Sequence, residues 1–201
     1  MKMKHTGFVS LVLLTLCLAA SPVLAQSAAQ GDYQVGDRLE TGLGLQDDGF
    51  REIVWDDLIP ADWAPEKLFE ELFADTDMDR LDDADPRAME LMQKVREAWD
   101  NAPLVAGMNG QRVRIPGFVV PLEGDDKQIR DFLLVPYFGA CIHVPPPPAN
   151  QLIHVEPDEP ISAEWNMVPV WVSGVLSVDR QESELGTAGY RLRGMKIVEY
   201  E

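Results

Sequence analysis

Residues 110–123 read GQRVRIPGFVVPLE. Val113 and Ile115 alternate with Arg112 and Arg114, and Phe118, Val119 and Val120 follow. A period of two sends the apolar side chains to one face and the arginines to the other, which predicts a β-strand. Pro116 lacks an N–H and Gly117 lacks a Cβ, so the pair predicts a bend or break within that strand. Working outward, EGDDKQ (123–128) predicts a turn and IRDFLLVPYF (129–138) a second strand. VPVWVSGVLSV (168–178) alternates again and carries Gly174, a position for a coil or bulge. GYRLRGMKIVEY (189–200) alternates once more, with Tyr190, Leu192, Met195 and Ile197.

Upstream of residue 104 the apolar pattern is helical. REIVWDDLIP (51–60) carries Ile53, Val54, Trp55, Leu58 and Ile59 and stops at Pro60. ADWAPEKLFEELF (61–73) resumes with Pro65 in a first-turn position and Leu68, Phe69, Leu72 and Phe73 at helical spacing. After an acidic run, Asp85 is placed to cap and Pro86 to open a further helix. Met89, Met92, Val95, Ala98 and Trp99 line one face of it, and Pro103 ends it. Helices followed by about five short strands predict an α+β chain, with an N-terminal helical extension over 51–103 and a β domain over 104–201. Five strands with glycine-bearing bends suit a small antiparallel, OB-like barrel. No internal repeat is present.

The start of the chain predicts export. Lys2 and Lys4 precede an uncharged, mostly apolar run over 7–20, Pro22 breaks it, and Val23-Leu24-Ala25 offers cleavage after Ala25. This is the pattern of a cleavable signal peptide over 1–25. Residues 26–50, rich in Gly, Gln, Ser and Asp, predict a loosely ordered leading segment, which Leu39, Leu43, Leu45 and Phe50 can tack onto the body. Lys2 and Lys4 are the only charged residues removed, so the net charge falls from −17 to −19 on cleavage. Such a charge argues against nucleic acid and anionic lipid, which bind basic surfaces. It fits a soluble periplasmic protein with no membrane anchor in the mature chain.

Removing 1–25 also removes Cys17 and His5. Cys141, His143 and His154 are then the only cysteine and histidines left, so no internal disulfide is available. All three lie in GACIHVPPPPANQLIHV (139–155). Cys141 and His143 are two apart, as are His154 and Glu156, so each pair leaves one face of an extended chain. Between them, Pro145, Pro146, Pro147 and Pro148 favour a stiff polyproline segment of roughly 12 Å. Ala149, Asn150 and Gln151 can turn the chain back and bring the two pairs together.

Cys141, His143, His154 and Glu156 make a credible tetrahedral set for zinc, and a thiolate also suits Cu(I). Asn150 or Gln151 would then orient an imidazole. Other readings stand beside this one. Cys141 can be a small buried hydrophobe. His143 can serve a backbone carbonyl, and His154 can be a solvent-facing strand residue. A nucleophilic Cys141–His143 pair would make a thiol enzyme with Asn150 as the third group, although no family-specific motif surrounds the cysteine. The proline loop can also be a rigid docking surface, with Asn150 and Gln151 beside it.

Two other motifs fail on composition. Asp75, Asp77 and Asp79 have the spacing of a calcium loop, but Arg80 and Pro86 stand where Gly and Glu are required. No GxSxG and no Gly-rich phosphate loop are present.

GQRVRIPGFVVPLE, FLLVPYFGACIHVPPPPANQ and VPVWVSGVL together resemble an uncharacterised bacterial periplasmic family, number 3299 among the domains of unknown function. WDDLIP (55–60) is similar to its N-terminal portion, and the resemblance covers roughly residues 50–200. Its hallmark positions match Cys141, His143, Pro145, Pro146, Pro147, Pro148, Asn150 and Gln151. The resemblance implies an exported protein encoded near ABC-type export components, hence a transporter component as partner. It implies no established activity.

Overall fold

The computed structural model describes residues 33–41, 49–74, 85–142 and 146–200. The expected signal peptide over 1–25 and the acidic run at 75–84 lie outside the described residues. Within them the chain is mostly β-sheet. The strands are β1 (Arg51–Glu52), β2 (Arg112–Gly124), β3 (Gln128–Val135), β4 (Ile153–Pro157), β5 (Ile161–Ser162), β6 (Pro169–Ser183) and β7 (Gly186–Glu199). Two α-helices precede the long strands, α1 (Pro65–Phe73) and α2 (Pro86–Asp100). Neither is long and apolar enough to cross a membrane.

The sheet order is β1-β2-β6-β7-β4-β3-β5, and β2 also pairs with β3. Each of the five longer strands therefore has two neighbours among the other four. The β1–β2 and β4–β7 pairings are parallel and the rest antiparallel. β1 and β5 escape the sequence reading because two residues show no alternation, and β4 is met there only in the remark that His154 can be a strand residue.

Strand β2 runs unbroken through Pro116 and Gly117, so of the bend or break expected there the break is excluded. The register explains it. β1 pairs with Val113 and Arg114, and β3 begins its pairing at Phe118. Pro116 falls between them, where no strand needs its missing N–H. The indole Nε1–H of Trp55 fills this gap by donating to the Pro116 carbonyl at 2.8 Å. Gly174 behaves as expected. The register shifts between Ser173 and Gly174, and a Cβ at Gly174 would stand 1.9 Å from the Arg193 carbonyl oxygen.

One apolar cluster fills the inner side of the strands with Val113, Ile115, Phe132, Leu134, Val155 and Leu192. Ile53, Trp55 and Leu58 belong to it as well. Residues 51–59 are therefore not the first helix of an extension. They form β1 and a single 3-10 turn, Trp55–Leu58. Two side chains fix that turn to the sheet. Tyr190 donates its hydroxyl to the Leu58 carbonyl at 2.8 Å and accepts from the Val105 N–H at 2.7 Å. Gln151 donates its amide to the Trp55 carbonyl at 2.8 Å.

A second apolar cluster lies on the opposite, outer side of the strands, with Phe118, Val120, Leu133, Val135, Leu152 and Ala188. Residues 33–41 cover part of it. Tyr33 meets Phe118 edge-on at 5.2 Å, and Gly36 and Phe138 are joined backbone to backbone at 2.9 Å. Leu39 packs there as well, so this part of the leading segment is tacked onto the body.

Helix α2 starts as the sequence predicts. The Asp85 carboxylate accepts from the Arg87 N–H at 2.9 Å, and Pro86 takes the first position. Its apolar face does not enter the core. Met89 and Met92 are 64% and 58% exposed, and Leu91 alone of its side chains is buried. Phe69 of α1 packs edge-on against Trp99, 6.1 Å between ring centres.

Candidate functional site

Within 139–155, Ala140, Cys141 and Leu152 pack in the outer cluster while Ile153 and Val155 enter the inner one, so its residues part company. After β3 the chain turns at Gly139, whose φ is +84°, and again at Cys141, whose φ is +65°. A side chain in that left-handed region costs on the order of 1 kcal/mol. Cys141 is a free, half-buried thiol packed against the outer cluster. Burial pushes its pKa up from 9.0 to about 12. Tyr137, four residues earlier, is also raised, first by burial and then by the nearby Cys141. The Arg38 guanidinium lies 5.6 Å from the centre of the Tyr137 ring.

His143 and Pro145 lie outside the described residues. From Pro146 onward the chain is held rather than free. Pro147 is buried, and a Cβ on Gly186 would stand 2.9 Å from Pro146 Cβ. Asn150 and Gln151 are buried in the 3-10 turn Ala149–Gln151. The Asn150 amide donates to the Pro103 carbonyl at 3.1 Å, while the Gln151 amide holds Trp55. Both amides tie the loop to the body, so neither presents itself at the surface. Asn150 Oδ1 is buried without a hydrogen-bond partner.

The second predicted pair sits on β4. His154 Nε2–H donates to Asp131 Oδ2 of β3 at 3.1 Å, with the two side chains 14% and 23% exposed. The opposite atoms, His154 Nδ1 and Asp131 Oδ1, are buried without a partner. Glu156 points to solvent and meets Arg191 at 3.4 Å, which also holds Asp179 at 3.1 Å. His154 and Glu156 therefore have different partners, Asp131 and Arg191, and neither contact involves Cys141. Among the described residues no three of His, Cys, Asp and Glu are grouped as a metal would need.

Cys141 instead joins a groove assembled from three segments far apart in the chain. Arg96 and Asp100 of α2, Cys141 and Pro146 of the loop, and Arg180 and Glu184 of the β6–β7 hairpin line a space of about 740 Å³. Arg180 holds one wall in place by donating to the carbonyls of Asp100 and Ala102, where the negative end of the α2 dipole lies. A smaller pocket of about 90 Å³, lined by Met92, Val95, Trp99 and Pro147, continues from it. Arg96, Asp100 and Pro146 border both. Met92 of α2 thus lines a groove, and no spacing within the sequence signals it, apart from the apolar helix face noted above.

Fold and site together define a β-rich domain with a short helical flank and an open groove between them. The chain belongs to DUF3299, a family described as proteins of unknown function, whose model matches residues 55–199. A crystal structure of a DUF3299 family protein from Pseudomonas aeruginosa PAO1 is 36% identical and aligns with a TM-score of 0.57, covering 76% of this chain and 97% of that one. No curated protein matches the chain.

Proposed function

We propose that this chain is an exported, soluble periplasmic accessory protein that acts by binding a partner in the groove between α2, the proline segment and the β6–β7 hairpin. The observation that carries the reading is the continuity of that groove with the exposed Met92 and Trp99 pocket. The pairing of the five longer strands supports an OB-like barrel. In such barrels the loop between the fourth and fifth strands is a customary binding element. Here that loop is the hairpin at Ser183–Gly186, and it lines the groove. The partner is a component of an ABC-type transporter, on the strength of the family resemblance. A thiol held at a pKa of about 12 weighs against a thiol enzyme. The test is covalent capture in cells: a photoreactive residue at position 92 or 184 yields a discrete adduct, and one at position 195, at the other end of β7, does not. Adducts from all three positions alike, or from none, contradict the reading.

A second reading keeps a metal, zinc or Cu(I), on Cys141 and His143, with His154 and Glu156 as further ligands. It is favoured by the free thiol of Cys141 at the wall of an open groove. His154 would have to leave Asp131, and Glu156 would have to leave Arg191. Mature protein purified under reducing conditions then carries stoichiometric metal by elemental analysis and loses it in Cys141→Ser and His143→Ala. Absence of metal in the wild type, with only weak and mutation-insensitive zinc uptake, removes this reading.

A further inference from the structure

The charges around the groove say more about its occupant than its shape does. Glu97, Asp100, Glu182 and Glu184 border it, against Arg96 and Arg180. Arg180 is turned onto two backbone carbonyls at the end of α2. Among the described residues, none of the four carboxylates is ion-paired with a Lys or Arg. Glu182 and Glu184 stand exposed on the hairpin, and Met92, Val95 and Trp99 lie beside Asp100 with methionine at the open edge. Methionine adapts its shape to different apolar side chains, which suits a surface that takes up a chain segment rather than one rigid molecule.

Resting on the binding role proposed above, we infer that the occupant is a peptide segment of a partner protein with an apolar side chain flanked by lysine or arginine. The apolar side chain enters the pocket of Met92, Val95, Trp99 and Pro147, and the cations lie over the carboxylates of the α2 end and the hairpin. Charge complementarity selects this occupant over the alternatives. A second copy of a chain with net charge −17 is repelled. The chain's own 75–84 run, rich in aspartate, has the same sign as the groove.

The test uses the mature chain and three labelled, end-blocked pentapeptides, Gly-Lys-Leu-Lys-Gly, Gly-Glu-Leu-Glu-Gly and Gly-Lys-Ser-Lys-Gly, followed by fluorescence anisotropy at low salt. The Lys-Leu peptide binds at least about tenfold more tightly than either of the others. Double reversal Glu182→Lys and Glu184→Lys weakens it by at least about tenfold, and added salt does the same to the wild type. Met92→Ser removes the preference for Leu over Ser. All three side chains are exposed, so the fold is kept, and circular dichroism checks this. Equal binding of the Lys and Glu peptides, binding untouched by the substitutions, or no binding overturns the inference. A concentration-dependent dimer that Met92→Ser disperses also overturns it, by placing a second copy in the groove. If in-cell capture from positions 92 and 184 succeeds while the peptides fail, the inference about charge falls and the binding role stands.

Discussion

Trp55→Ala is expected to lower the free energy of unfolding by about 3–5 kcal/mol. Trp55 is 7% exposed and lies in the inner apolar cluster with Ile53 and Leu58. Its loss leaves a cavity between the Trp55–Leu58 turn and the sheet. It also strips the Pro116 carbonyl of its donor at the place where β2 has no strand on that side. Of that total, about 1–3 kcal/mol is the cost of leaving a buried carbonyl without a partner. Urea unfolding of the mature chain measures the sum. Trp55→Phe separates the terms, since it keeps most of the packing and loses only the donor, for about 1–2 kcal/mol. An Ala variant within about 1 kcal/mol of wild type would mean that residues 51–59 lie on the sheet without closing its core.

Cys141 is expected to resist alkylation in the native protein. It is the only cysteine after residue 25, so labelling by iodoacetamide reads this site alone. Burial raises its pKa from 9.0 to about 12. The reactive thiolate is therefore about a thousandfold scarcer at pH 8 than for an ordinary thiol. The direction follows from the neutral thiol being the form that tolerates burial. The native rate stays low through the usual thiol range and climbs only as pH approaches the raised value. Unfolding in urea restores the ordinary rate. A native rate at pH 8 within about tenfold of the unfolded rate would instead place an activated thiolate in the groove and bring back the thiol-enzyme reading.

The long strands are legible in the sequence because alternation over eight or more residues has one physical meaning when a face is buried. Arg112 and Arg114 against Val113 and Ile115 carry that signal, and Gly174 marks the bulge where a Cβ has no room. Residues 51–59 are not legible in the same way. Ile53, Trp55 and Leu58 fit a helical face, and the decision between a helix and a turn is made by partners more than fifty residues away, Pro116, Gln151 and Tyr190. The break considered at Pro116-Gly117 is absent for the same reason. Whether a proline breaks a strand depends on whether a neighbour needs its N–H, and only the register supplies that.

The candidate site divides similarly. Sequence proximity of Cys141, His143, His154 and Glu156 is visible at once, yet β3–β4 pairing hands His154 to Asp131, which the sequence does not single out. Pro145 lies outside the described residues, and Pro146 and Pro147, expected to belong to a stiff spacer, are packed in place. What these two meet is α2 and the hairpin, which only the fold brings alongside. The groove has no local pattern because its walls come from residues 96–101, from Cys141 and Pro146, and from residues 180–187.

That groove is the centre of the account, and photo-crosslinking in the native host tests it most directly. With the photoreactive residue at position 92, the account predicts one discrete, light-dependent adduct. It predicts that Glu182→Lys with Glu184→Lys in the same chain diminishes the adduct, and that position 195 gives none. An adduct at 195 equal to that at 92, or silence at 92 from a folded and exported chain, would contradict it.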